Sequence, residues 1–284
     1  MAGEVVTSIV GGVGNQLYCW ATAAAVARKA GLELVLELSS YERDPYGRTY
    51  MLSKLGITDA RTSAYNRMER AALSVLTRVA DRRQGHFSVA GRSVYTDPGG
   101  VLNRTVLESQ LSGRCSLRGY WQSPRYFADY ASQIREAVKF KPCRAVDAPA
   151  DAVCVHVRSF KEAPAATIGS LRNDYYQAAY ARCYQRFANP KFVVYSDDLQ
   201  WAKENAMLPA TYEACGQMHA SSCAEHDLCE LVSMSRFQNY VIANSSFSWW
   251  AAYLSDHAPW VLAPGRNRHA WFSEEPLPAE WDEV

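Results

Sequence analysis

The sequence predicts an α/β protein made of two Rossmann-like domains facing a cleft. Three observations carry this. Near the N-terminus an apolar run, a glycine turn and an Ala-rich helix follow one another. Strands alternate with helices again after residue 145, and a Pro/Ala-rich stretch, Pro142 to Pro149, separates the two series. The expected domains are 1–145 and 146–284.

Each element follows from its pattern. Val5 to Val10 reads as a buried strand, and Gly11-Gly-Val-Gly-Asn-Gln as a tight turn. Leu17 to Ala30 is an Ala-rich helix that Gly31 closes as a C-cap. Leu32 to Leu38 is a second strand, which gives a parallel β-turn-α-β start. Residues 39–110 are less regular. Within them Arg61 to Arg83 reads as a basic amphipathic helix with a solvated polar face. A helix is expected near Tyr130 to Lys139.

In the second half, Ala152 to Val157 is a strand, Asp174 to Ala188 a helix, Phe192 to Tyr195 a strand and Leu199 to Glu204 a short helix. Leu228, Leu231 and Val232 keep helical spacing, and Tyr240 to Ala243 is a buried strand. Asn244-Ser-Ser-Phe-Ser is a helix start, because Asn and Ser side chains cap free amides. Trp249 and Trp250 read as core, and Trp260 to Ala263 as the last strand.

Composition narrows the function. With 48% hydrophobic residues the chain can bury a large core. A net charge of +1 gives no global field for nucleic acid or an anionic membrane. Eight cysteines without a CxxC pair read as buried thiols, so no zinc site is expected. No apolar stretch is long enough to span a bilayer, and the N-terminus does not read as a signal peptide, so a cytoplasmic enzyme is expected.

The chemistry lies at strand ends. In parallel sheets ligands gather at the C-terminal edge, and a helix N-terminus there favours negative charge. His156 and Arg158 follow one another on one strand face, and an arginine there can fork onto a diphosphate or pair with a structural carboxylate. Asp197 and Asp198 end another strand. They suit a metal, a base or ribose contact, or, for Asp198, a helix cap. Ser245, Ser246 and Ser248 offer hydroxyls toward phosphate. The Gly11–Gln16 turn fits neither the dinucleotide nor the P-loop pattern, and it reads equally as a structural turn or a ligand loop.

Together these pieces resemble the α-1,2-fucosyltransferases (glycosyltransferase family 11), and more distantly the α-1,6- and protein O-fucosyltransferases. The matching text is GGVGNQLYCWATAAAVA, GYWQSPRYF, HVR, VYSDDLQWAKEN and DLCELVSMSRFQNYVIANSSFSWWAAYL, in family order. The resemblance implies a GT-B fold, GDP-β-L-fucose as donor, a glycan hydroxyl as acceptor, inversion at the anomeric carbon, and no cofactor or metal. It implies an acceptor side in the N-terminal domain and a donor side in the C-terminal one. Arg158 would stabilise the leaving diphosphate. Gly12, Gly14, Asn15, His156, Lys161, Asp197, Asn244, Ser245, Ser246, Phe247 and Ser248 would contact the donor. The family pattern HxRRxD is broken here: Ser159 replaces the second Arg and Lys161 the Asp. Glu162 is then the candidate general base. The alternatives are a transferase of another GDP-6-deoxyhexose, or a non-catalytic nucleotide-sugar or glycan-binding relative.

Overall fold

The computed structural model describes residues 3–140, 148–160, 171–215, 226–265 and 275–284. Lys161 and Glu162 lie outside them, as does most of the Pro142–Pro149 stretch. The chain divides into two compact units. One is Met1–Lys141 with Trp271–Pro276; the other is Pro142–Ala270 with Leu277–Val284.

In chain order the first unit holds β1 (Glu4–Ser8), α1 (Val13–Ala30), β2 (Glu33–Glu37), β3 (Arg61–Ser63), α2 (Arg67–Asp81), β4 (His86–Val89), β5 (Arg92–Thr96), α3 (Arg104–Glu108), β6 (Arg114–Arg118) and α4 (Ala131–Ala137). Its sheet runs β3-β2-β1-β6-β5-β4. All pairs are parallel except the β4–β5 hairpin. The region 39–110 therefore supplies three of the six strands, where the sequence shows little pattern. The expected helix from Arg61 to Arg83 is shorter, because Arg61–Ser63 pairs with β2 as an edge strand. Asn66 starts the helix instead, in a reciprocal capping box with Glu69.

α1 begins at Val13 rather than Leu17, so Gly14, Asn15 and Gln16 lie in its first turn and not in the preceding loop. Its residues are buried around nearly the whole circumference for two-thirds of its length, as an Ala-rich helix packed on a sheet requires. Gly31 ends it at φ 65°, and its amide reaches the carbonyls of Ala27 and Arg28. The C-terminal return into this unit is anchored where Ser123 Oγ donates to Glu275 O at 2.8 Å and Arg125 pairs with Glu275 at 3.2 Å.

The second unit holds β7 (Ala152–Val157), α5 (Asn173–Arg186), β8 (Lys191–Ser196), α6 (Leu199–Asn205), β9 (Tyr212–Ala214), α7 (His226–Met234), β10 (Asn239–Val241), α8 (Ser246–Tyr253), β11 (Trp260–Ala263) and β12 (Asp282–Glu283). Its sheet is wholly parallel, in the order β12-β11-β10-β7-β8-β9. All six residues of β7 are buried. Val153, Val155 and Val157 pack with Tyr175, Tyr176 and Ala179 of α5. Cys154 and His156 alternate onto the other face. Trp249 and Trp250 are fully buried, and Trp249 stacks on Tyr253 at 4.7 Å. The six described cysteines are buried. Among the described residues no helix is long and apolar enough to cross a membrane.

Candidate functional site

The polar centre of the second unit forms where β7 and β8 end side by side. Val157 pairs with Ser196, so the residues that follow meet each other. Asp197 accepts from Ser159 N at Oδ1 and from Ser159 Oγ at Oδ2, both at 2.8 Å. Arg158 Nη1 lies 3.0 Å from Asp197 Oδ2. The Arg158 guanidinium also sits 5.4 Å from the Phe160 ring centre. A carboxylate and an aromatic face thus aim it, while its side chain stays 25% exposed. Ser159, at the position of the missing second Arg, completes the clamp on Asp197. The carboxylate is directed at the loop after β7, where it holds both Ser159 and Arg158.

His156 is 5% exposed, and its Nδ1 has no hydrogen-bond partner. Its ring meets Phe247 at 5.9 Å. Burial, and then the charge of Arg158, lower its pKa to about 4 against the opposing pull of Asp197. The ring is therefore neutral at pH 7. The unfolded chain takes up a proton near pH 6.5 that the folded ring refuses until about pH 4. Folding stability is thus full above pH 6.5 and falls as pH drops toward 4, by on the order of 3 kcal/mol. Urea melts at pH 7 and 4.5 should show this slope, and His156→Phe should flatten it. An unchanged slope in the variant would assign the acid sensitivity elsewhere.

The Asn244–Ser248 segment opens α8 at the end of β10. Ser245, not Asn244, is the N-cap; its Oγ accepts from Phe247 N at 3.3 Å. β10 ends at Val241, and four residues follow it before the helix starts at Ser246. Ser248 is fully buried and its hydroxyl donates to Ser245 O at 3.3 Å, so it serves the helix interior. Asn244 and Ser245 are also buried, whereas Ser246 and Phe247 are half-exposed. Phe247 joins this segment to His156. Asp198 caps α6 by accepting from Trp201 N at 3.1 Å. Among the described residues no group of three or more His, Cys, Asp or Glu is placed to hold a metal.

Gly12, Gly14 and Asn15 lie together in the first unit, at the end of β1. Gly12 is the N-cap of α1 in extended backbone. Gln16 locks this corner: its Nε2 donates to Gly11 O and Thr49 O, and its Oε1 accepts from Met51 N. Asn15 Oδ1 accepts from Gln122 Nε2 at 2.9 Å. Asp97, at the end of β5, accepts from Trp121 N at 2.7 Å and Gly99 N at 3.2 Å, and burial pushes its pKa up. Gln122 and Asp97 are polar members of this edge that the sequence reading passed over. The GYWQ text contains Gln122, and Asp97-Pro-Gly-Gly is a turn signal, but neither shows its partner locally.

Two α/β units built on mainly parallel sheets are the architecture of the GT-B fold. The chain is similar to the solved α-1,6-fucosyltransferase NodZ soaked with GDP-fucose, with a TM-score of 0.54, 14% identity, and 94% of this chain and 97% of that one covered. It is similar to a point mutant of Arabidopsis thaliana FUT1 in complex with GDP, with a TM-score of 0.53, 13% identity, and coverage of 94% and 72%. These likenesses show the fold. The chain belongs to glycosyl transferase family 11, whose model matches residues 111–281. It is 25% identical over 293 aligned residues to an Escherichia coli α-1,2-colitosyltransferase, covering 98% of this chain and 97% of that protein. It is therefore a glycosyltransferase.

Proposed function

We propose that this glycosyltransferase moves L-fucose, or a related 6-deoxy sugar such as the colitose its E. coli relative is named for, from a GDP-linked donor to a glycan hydroxyl. The carrying observation is Arg158, clamped by Asp197 at the end of a buried central strand. A fixed, partly open guanidinium suits a diphosphate, and the α8 N-terminus follows the adjacent strand, β10. The GDP donor is supported by the GDP and GDP-fucose in the NodZ and FUT1 structures.

In the proposed reaction the acceptor oxygen attacks the anomeric carbon from the face opposite GDP. The C1–O bond breaks, GDP leaves with the electron pair, and a base takes the acceptor proton; the result is inversion. Arg158 stabilises charge on the leaving diphosphate, where preorganised donors give most of their benefit. Neutral His156 and Phe247 form the apolar flank. The second unit takes the donor and the first unit the acceptor. Lys161 adds cationic charge near the donor, and Glu162 is the proposed base. The linkage formed is α-1,2, and no metal takes part.

The test is a panel of GDP-fucose, GDP-colitose and GDP-mannose against a glycan array, with and without excess EDTA. GDP release that depends on acceptor, prefers a 6-deoxy donor and survives EDTA is expected. Loss of activity in EDTA would return Asp197 and Asp198 to a metal role. GDP binding without turnover would favour a non-catalytic binding protein, and no GDP binding would remove the proposal.

A further inference from the structure

α2 carries one broad apolar arc, and the sheet uses only one side of it, with half-buried Leu76 between the two sides. Leu73 packs against the Val6, Val35 and Tyr65 cluster, and Ala80 is fully buried. On the other side of the arc, Met68, Ala72, Val75 and Val79 recur at i, i+4, i+7 and i+11, the spacing of a continuous stripe. Met68 is 82% exposed and Val75 55% exposed; Ala72 is exposed and Val79 half-buried. A single exposed apolar residue needs no explanation, but an ordered stripe on a solvent-facing helix does.

The charges along one edge of the stripe are basic. Arg67, Arg78 and Arg82 follow along its edge and are exposed. One acid, Glu69, borders the other edge. Glu69 is held in the capping box, its carboxylate accepting from Asn66 N at 2.9 Å. Asp81 lies beyond the arginines, away from the stripe. Arg70 is paired with Glu42 at 2.7 Å. The helix is also firmly started, since Asn66 Oδ1 accepts from Met68 N and Glu69 N. It presents its side chains as a fixed face.

We propose that this face of α2 docks on an anionic lipid surface, independently of the donor chemistry. Apolar side chains beside an arginine row match the interfacial layer of a bilayer, where acyl chains lie below and phosphates alongside. Met68 and Val75 enter the acyl boundary, while Arg67, Arg78 and Arg82 reach the headgroup phosphates. The charge complementarity selects lipid over a neutral apolar partner.

The test is co-sedimentation of the full chain with phosphatidylcholine vesicles and with vesicles containing phosphatidylglycerol. Two variants alter only exposed positions: Met68→Asp with Val75→Asp, and Arg67→Gln with Arg78→Gln and Arg82→Gln. Thermal melts check that both stay folded. Wild type is expected to bind the anionic vesicles, weakly or not at all the neutral ones, and to be released by salt. Each arginine removed should lower partition about fivefold. The aspartate pair should abolish binding. No binding to anionic vesicles at low salt, or equal binding by either variant, would overturn the proposal. A dimer in solution that the aspartate pair dissociates would assign the stripe to a second copy instead.

Discussion

Arg158→Ala is expected to lower kcat for sugar transfer ~10²–10³-fold, the usual cost of removing one preorganised donor from developing charge. The loss should appear mainly in kcat, because charge on the diphosphate grows toward the transition state. The fold should survive. Asp197 retains Ser159 N and Ser159 Oγ as donors after the guanidinium is gone. Arg158→Lys should recover only part of the rate, since an ammonium cannot fork onto two oxygens. Steady-state kinetics with the best donor–acceptor pair, alongside a melting curve, separates the cases. A kcat within about threefold of wild type would remove Arg158 from the chemistry.

The second large effect is on stability, in the other unit. Gly119 has φ 135°, and a Cβ added there would stand 2.2 Å from Asp97 Cβ and 3.1 Å from Asp97 N. Both the conformation and the space demand glycine. Gly119→Ala must push β5 away from the loop after β6, breaking the bond from Trp121 N to Asp97 Oδ2. That leaves a buried carboxylate short of a donor. The expected cost is about 3 kcal/mol or more, a fall in melting temperature of ~10 °C. Gly12→Ala is the control. Its backbone is already in a conformation open to any residue, and no atom lies within 4 Å of the added Cβ. It should cost under ~1 kcal/mol. Equal melting temperatures for the two variants would show that the loop yields easily.

The second unit was largely legible in the sequence because its strands are buried on both faces. Ala152–Val157 and Trp260–Ala263 are short apolar runs, and they are found where those runs lie. The first unit hid four of its strands. β3 reads Arg-Thr-Ser, and β6 places Cys, Ser and Leu between two arginines. Such strands are fixed by their neighbours in the sheet more than by their own residues. The site follows the same division. His156, Arg158 and Asp197 stand at strand ends that the pattern exposes. The clamp of Ser159 on Asp197 spans 38 residues, and the Gln122–Asn15 bond spans 107; both exist only once the strands align. The helix start read at Asn244 to Ser248 is found there, with Ser245 as the cap; either Asn or Ser can cap, and only the backbone decides between them.

The strand order of the first sheet also sets the order in which that sheet can be completed. β1, β2 and β3 are neighbours and emerge from the ribosome in sequence. β4 and β5 come next, but only as a hairpin paired with each other. Neither touches β1. β6 is made last and fills the gap, pairing with β1 on one side and β5 on the other. Until Arg114–Arg118 is synthesised, the nascent chain carries a three-stranded fragment and a separate hairpin, each with a bare edge. One five-residue strand, flanked by arginines and nearly silent in the sequence, is the keystone whose arrival joins them.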